Sequence, residues 1–234
     1  IELSDDENYK GFWESKGYSN KADLNGTYTD WGQEMIIGID LGASKIKAGL
    51  VANNKIIKKI TINTGKTKKE VVDNVLKVVG WLINNKVKAI GVGCPGPADY
   101  KKGTVLNSPN IGLNGVNLKK IISSKFKVNV VMDNDANCFV LGEARRLKKR
   151  NVVGLTLGTG IGGGIVINGE LYRGRGNAGE FGHCTIKFDG VKSKLGNDGF
   201  LEGYVSGTAL KKKYGVDADK IKSKKAWEEF GKLL

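Results

Sequence analysis

The thirty residues from Gly154 to His183, GLTLGTGIGGGIVINGELYRGRGNAGEFGH, restrict the fold of this chain more than any other stretch. Leu155 to Leu157 and Ile165 to Ile167 are apolar enough to be buried strands. Between them Gly158, Gly160, Gly162, Gly163 and Gly164 leave backbone N–H groups without side-chain cover. Such a turn can approach a phosphate closely, and Thr159 adds a hydroxyl donor at its tip. Turn chemistry alone also allows a plain hairpin or a flexible connector, as the lesser reading. Asn168-Gly169 is the pair a type I′ turn requires, so Glu170 to Tyr172 is expected to return as the next strand. Glu180 and His183 follow on a glycine-rich loop, three residues apart.

Upstream, a regular pattern begins at Met35. MIIGID, the turn LGASK, IKAGLV and Lys55 to Ile62 predict a three-strand meander. Asp40 ends the first strand, and Gly42, Ser44 and Lys45 follow it in the turn. A carboxylate beside free amides and a hydroxyl suits phosphate with magnesium, and it also suits an ordinary hairpin turn. Thr67 and Glu70 form a capping box, and Val71, Val72, Val75, Leu76, Val79, Leu82 and Ile83 make one apolar face of the helix it starts. A strand from Lys88 to Gly93 runs into Cys94-Pro95-Gly96-Pro97, and the loop through Asn107 to Asn110 reads as a binding loop or an ordinary surface loop.

A short helix around Leu118 to Phe126 and a strand from Val128 to Met132 come next. Asp133-Asn134-Asp135-Ala136-Asn137 closes that strand and opens a helix to Leu147. Short polar residues there serve as N-caps, or they meet a ligand at the C-terminal end of a strand. Beyond His183, a helix is expected from Phe200 to about Lys213. Another spans Ser223 to Leu234, with Trp227, Phe230 and Leu233 or Leu234 on one side. Trp227, Phe230 and Leu234 are expected to lack packing partners and to expose an apolar strip.

Composition removes several classes of function. The net charge is +14, yet the basic residues are 33 Lys against 5 Arg, scattered without a stacking aromatic patch, which reads as a solvated lysine surface rather than a nucleic-acid site. Residues 1–34 carry eight acidic residues against three lysines and show no helix-turn-helix pattern. They are expected to be a tail without its own fold. No apolar run reaches the roughly 20 residues that span a bilayer, and the N-terminus lacks a basic-then-apolar pattern, so no membrane partner and a cytoplasmic location are expected. Cys94, Cys138 and Cys184 lack CxxC spacing and fit reduced thiols.

Taken together, DLGASKIKAGLV, GCPGPAD with LNSPN, DNDANC with LGEA, LGTGIGGGIVINGELYRG and GNAGEFGH resemble, in order, the motifs of the ROK (repressor, open reading frame, kinase) family of actin-like sugar kinases. The resemblance implies an α/β, two-lobed actin-like ATPase (ribonuclease H-like) fold with mixed sheets flanked by helices. Lobes are expected at 35–134 and 135–234. It implies ATP-dependent phosphorylation of a hexose 6-hydroxyl, of glucokinase type, within carbohydrate metabolism and glycolysis. ATP and Mg²⁺ are the implied cofactors, and a homodimer is among the implied assemblies.

Residue by residue, Asp135 falls on the family's catalytic aspartate and Asn134 on its sugar-binding neighbour, while Asn110, Glu180, His183 and Glu202 match residues at the sugar. Asp40, Gly42, Ser44 and Lys45 match the first phosphate motif, with Asp40 acting on Mg²⁺ through water. Gly158, Thr159, Gly160 and Gly162 match the second. Many members bind zinc through the histidine matching His183 and three cysteines. Ser193, Leu195 and Phe200 stand at those cysteine positions here, so no structural zinc is expected. Members of the family continue past the position of Leu234 into a Gly-Gly adenosine motif and a closing helix, which this sequence does not include. Three alternatives to glucokinase accompany these expectations: a sugar-sensing regulator, an N-acetylmannosamine or other amino-sugar kinase, and a non-catalytic sugar-binding remnant.

Overall fold

A computed structural model describes residues 34–53, 55–106, 108, 111–193 and 197–234. Two compact units divide the chain between Arg150 and Asn151, so the helix opened by Asp135 stays with the first unit.

In the first unit, β1 (Met35–Leu41), β2 (Lys45–Ala52) and β3 (Lys55–Asn63) form the expected antiparallel meander. β4 (Val87–Cys94) and β8 (Asn129–Asn134) extend it in parallel, giving the order β3-β2-β1-β4-β8. A small second sheet is made by β5 (Ala98–Asp99), β6 (Thr104–Val105) and β7 (Val116–Asn117). Alternation along the strands sorts the two faces of the large sheet. Ile37, Ile39 and Leu41 point to one face with their register partners Ile90 and Val92 and, beyond them, Val130 and Met132. Helices α1 (Lys68–Leu82) and α2 (Leu118–Phe126) pack into that core through Val71, Val75, Val78, Val79, Leu82, Leu118 and Ile122. The α1 capping box forms as expected, with Thr67 and Glu70 bonding each other's backbone.

The other face presents Gly38 and Gly91 and, one step on, Asp40, Gly93 and Asp133 in register. Side chains are small there. A Cβ at Gly93 would lie 3.5 Å from the Asp135 Cα and 3.6 Å from the Cys138 Sγ, so glycine lets α3 (Asp135–Arg146) sit close on the strand ends.

The second unit holds a three-stranded sheet, β11-β10-β9, of β9 (Val152–Leu157), β10 (Ile161–Ile167) and β11 (Glu170–Leu171). Asn168 and Gly169 both have positive φ, at 55° and 87°, which makes the two-residue turn expected of them. Two expectations are corrected here. Gly162, Gly163 and Gly164 lie in β10, paired with Thr156, Leu155 and Gly154, so the open turn is only Gly158 to Gly160. The single helix expected from Phe200 is two, α4 (Glu202–Val205) and α5 (Gly207–Tyr214), because Ser206 is extended and its side chain caps α5 at Ala209 N.

The last helix, α6 (Lys224–Leu233), is capped by Ser223. Its apolar side is less bare than expected: Phe230 and Leu233 pack on Ile161, Leu201 and Val205. Trp227 remains 41% exposed, with its indole N–H donating to Ile221 O, and Leu234 remains 47% exposed. No helix among the described residues is long and apolar enough to cross a membrane.

Candidate active site

Parallel pairing of β1, β4 and β8 brings three strand ends together, with Asp40 in register with Gly93 and Gly93 with Asp133. That is where α/β folds place ligands. Asp133 is fully buried and serves structure: its Oδ1 accepts from Asn134 N at 2.9 Å and from the Asn137 side chain at 3.2 Å. Asn134 is the N-cap of α3, accepting from Asn137 N at 3.1 Å, and its side chain also bonds the Tyr100 hydroxyl. Capping therefore falls to Asn134, and Asp135 is spared for other work at the first position of the helix. Asp135 accepts from Ala136 N at 2.9 Å.

Burial raises the pKa of Asp135, opposed by that backbone hydrogen bond. Asp40 is pushed up to about 6, by burial first and then by the charge of Asp135, against the pull of Lys47. Both carboxylates are thus held above their ordinary value, Asp40 by burial and its neighbour, Asp135 by burial. The neighbouring Cys94 thiol is pushed up to about 12 by burial and by Asp135, which makes it inert as a nucleophile.

The turn after Asp40 is more closed than its residues suggest. Gly42 N donates to Lys45 O at 3.0 Å and is not a free amide. Thr64, fully buried, holds the same turn from the end of β3, donating its hydroxyl to Gly42 O at 2.7 Å and its N–H to Ser44 O at 3.0 Å. Ser44 and Lys45 are exposed. Sequence reasoning missed Thr64, because nothing local ties it to residues twenty positions earlier.

In the second unit the turn Gly158 to Gly160 has its carbonyls held by the start of α5. Gly207 N donates to Gly158 O at 2.8 Å, and Thr208 donates to Thr159 O through its N–H at 3.3 Å and its hydroxyl at 2.8 Å. Among the described residues no backbone carbonyl accepts from Thr159 N or Gly160 N. These two amides are left as donors at the tip of the turn, the kind of group that can receive an anion. Glu202 accepts from Ile161 N at 2.7 Å, which ties it to the exit of the turn Gly158 to Gly160. Thr208 was not visible from sequence spacing either.

The loop carrying Glu180 and His183 lies flat on β10, backbone against backbone. A Cβ at Gly163 would come within 2.8 Å of Gly179 O, one at Gly179 within 2.5 Å of Gly163 O, and one at Gly182 within 2.4 Å of Ile161 O. The glycines of β10 and this loop thus serve close packing. Glu180 Oε2 is 3.9 Å from His183 Nε2. Phe200 stacks on His183 at 6.5 Å and 26°. Thr185 pairs with Phe200, Ser193 N donates to Asp198, and Asn197 donates to His183 O, so hydrogen bonds and a ring contact hold this loop. Among the described residues no three His, Cys, Asp or Glu side chains are grouped to hold a metal ion. Asn110 and Leu195 lie outside the described residues.

A model of the ROK family matches residues 36–232. The chain belongs to the ROK family. Within it, a glucokinase of Streptomyces coelicolor is 37% identical over 182 residues, covering 75% of this chain and 57% of that protein. A xylose repressor of Caldicellulosiruptor bescii is 36% identical over 220 residues, covering 86% and 53%. The solved structure of a ROK glucokinase from Streptomyces griseus, in complex with glucose and AMPPNP, superposes with a TM-score of 0.64 at 36% identity, covering 76% of this chain and 59% of that one. This ROK chain therefore spans a little over half the length of these relatives, and its fold is the mixed α/β fold of the actin-like ATPase kinases.

Proposed function

We propose that the protein is an ATP-dependent sugar kinase that phosphorylates the 6-hydroxyl of a hexose, with Asp135 as general base. The observation that carries this reading is the Asp40–Asp135 pair at the ends of parallel strands, both carboxylates lifted by burial and Asp40 further by its neighbour. A base with a raised pKa is better matched to removing a hydroxyl proton near neutral pH. Asp135 accepts that proton as the hydroxyl oxygen forms its bond to the γ-phosphorus and the bond to the departing ADP oxygen breaks.

Within the second unit, the Thr159 and Gly160 amides suit phosphate, and Glu180, His183 and Glu202 suit sugar hydroxyls. A hexose needs both acceptors and donors, and each buried hydroxyl left unpaired costs about 1–3 kcal/mol. Magnesium fits the donor set of the first turn. The Asp40 carboxylate and Ser44 hydroxyl are hard oxygen donors, and a cation there favours the ionised form that burial disfavours. When bound, it neutralises phosphate charge.

A coupled phosphorylation assay tests the proposal, on the chain extended to the length of its relatives and with a panel of hexoses, amino sugars and phosphoryl donors. Turnover of a hexose with ATP is expected, and absence of turnover with every sugar overturns the kinase reading. The xylose repressor relative supports a second reading, sugar sensing without phosphoryl transfer. Sugar binding with no turnover on any donor is its signature.

A further inference from the structure

Glu202 bonds a residue 41 positions away, and what it bonds is the exit of the phosphate turn. Its Oε2 accepts from Ile161 N, the first residue of β10, at 2.7 Å. Space for that oxygen comes from the absence of a side chain at Gly160, where a Cβ would lie 2.5 Å from it. Among the described residues Oε1 of the same half-buried carboxylate makes no hydrogen bond. The segment that carries Glu202 is anchored on both sides. Forward, Gly207 and Thr208 hold the carbonyls of Gly158 and Thr159. Backward, Leu201 N donates to Cys184 O at 2.9 Å, and the Phe200 ring lies on His183. Residues 200–208 thus join the loop of Glu180 and His183 to the phosphate turn, and Ile161, Leu201 and Val205 form one apolar cluster beneath them.

We infer that Glu202 couples the two substrates: Oε2 fixes the phosphate turn through Ile161 N, while Oε1 takes a sugar hydroxyl, so each ligand strengthens binding of the other. The inference rests on the sugar-kinase reading. A sugar hydroxyl on Oε1 holds the carboxylate against the Ile161 amide, and the turn is then ordered before nucleotide arrives. Reciprocity requires nucleotide to tighten sugar binding by the same factor.

Calorimetry with AMPPNP, with and without the best sugar of the panel, tests this on the chain extended to the length of its relatives. Sugar is expected to tighten AMPPNP binding in the unaltered protein by about 5–50-fold, within the usual span of coupling between sites. Glu202→Ala is expected to weaken AMPPNP binding by about 5-fold or more even without sugar, and to abolish the coupling. Glu202→Asp, which keeps the charge but is one methylene short of Ile161 N, is expected to follow the alanine variant and serves if that one does not fold.

Glu202→Gln presents a carbonyl oxygen to the same N–H, and is expected to keep sugar-free AMPPNP affinity while losing sugar affinity. A residue that merely contacts sugar would leave sugar-free AMPPNP affinity untouched in all three variants, and that result overturns the inference. So does a glutamine variant that loses nucleotide as the alanine variant does. An unaltered protein that binds no AMPPNP and phosphorylates no sugar fails the kinase reading itself, and the inference with it.

Discussion

The two glycine turns, one in each unit, are pinned by the same device in opposite surroundings. In both, a threonine from a later segment donates its hydroxyl to a turn carbonyl while backbone N–H groups take others: Thr64 on Gly42 at 2.7 Å, Thr208 on Thr159 at 2.8 Å. Thr64 is fully buried, beside a turn that follows a carboxylate with its pKa lifted to about 6. Thr208 is exposed, beside a turn that keeps two amides open. The first turn is therefore bound into the core of its unit, while the second keeps its donors open at the surface of its own.

The largest effect should come from the acid pair. Asp135→Asn keeps the shape but cannot take a proton, so kcat is expected to fall by about 10²–10⁴-fold with sugar affinity nearly unchanged. Glu180→Ala, in the second unit, should show the reverse emphasis, a clear loss of sugar affinity by calorimetry. Near-full activity in Asp135→Asn, or unaltered sugar affinity in Glu180→Ala, would break the division of labour.

Next in size is the pH dependence of stability. The folded pKa of Asp40, about 6, lies above its ordinary value of 3.8, so the folded state holds the proton more tightly between the two. Its penalty is absent below about pH 4, grows as pH rises towards 6, and is complete above that. Asp40→Asn should thus stabilise the metal-free protein at pH 7.5 by up to about 3 kcal/mol, since each tenfold gain in proton affinity on folding corresponds to roughly 1.4 kcal/mol, and do little at pH 4. Denaturant titrations at both pH values check it, and a gain of the same size at pH 4 would refute the assignment.

The two threonines give the smallest effects and the most direct comparison. Thr64→Val takes from the half-buried Gly42 O the hydroxyl donor supplied by a fully buried side chain and should cost about 1–3 kcal/mol, whereas water can replace the Thr208 hydroxyl, so Thr208→Val should stay within about 0.5 kcal/mol. Thermal melts of the pair measure the difference, and equal losses would remove the distinction drawn between the turns. Elemental analysis should find no stoichiometric zinc on the Phe200-stacked loop, and one tightly held zinc per chain would contradict that.

Local chemistry was legible along the chain wherever partners are near in sequence. Thr67 and Glu70 are three residues apart and cap one helix, Asn168-Gly169 contains its whole turn, and Asn134 caps the helix it adjoins. Relations across many residues were legible only through the family resemblance, or not at all. The charge of Asp135 reaches Asp40 across β4, whose Gly93 pairs with Asp40 and has no side chain beneath Asp135, a register that no spacing encodes. Gly162 to Gly164 looked like an open turn because a glycine reads the same whether its missing side chain admits an anion or another backbone. The partner that decides it, Gly179, lies fifteen or more residues on. Ser206 broke an expected helix for a similar reason: the extended serine brings Gly207 and Thr208 to the carbonyls of a turn nearly fifty residues earlier.

The glycine-to-glycine seam between β10 and the loop after it sets a limit on redesign. With Gly163, Gly179 and Gly182 already at the distance of closest approach, the loop has no room to be lifted by padding from below, and even one methyl group at the seam collides with main chain. Variation in this segment must therefore be sought in exposed side chains such as Glu180, and a library randomised at the seam glycines would yield mostly misfolded protein.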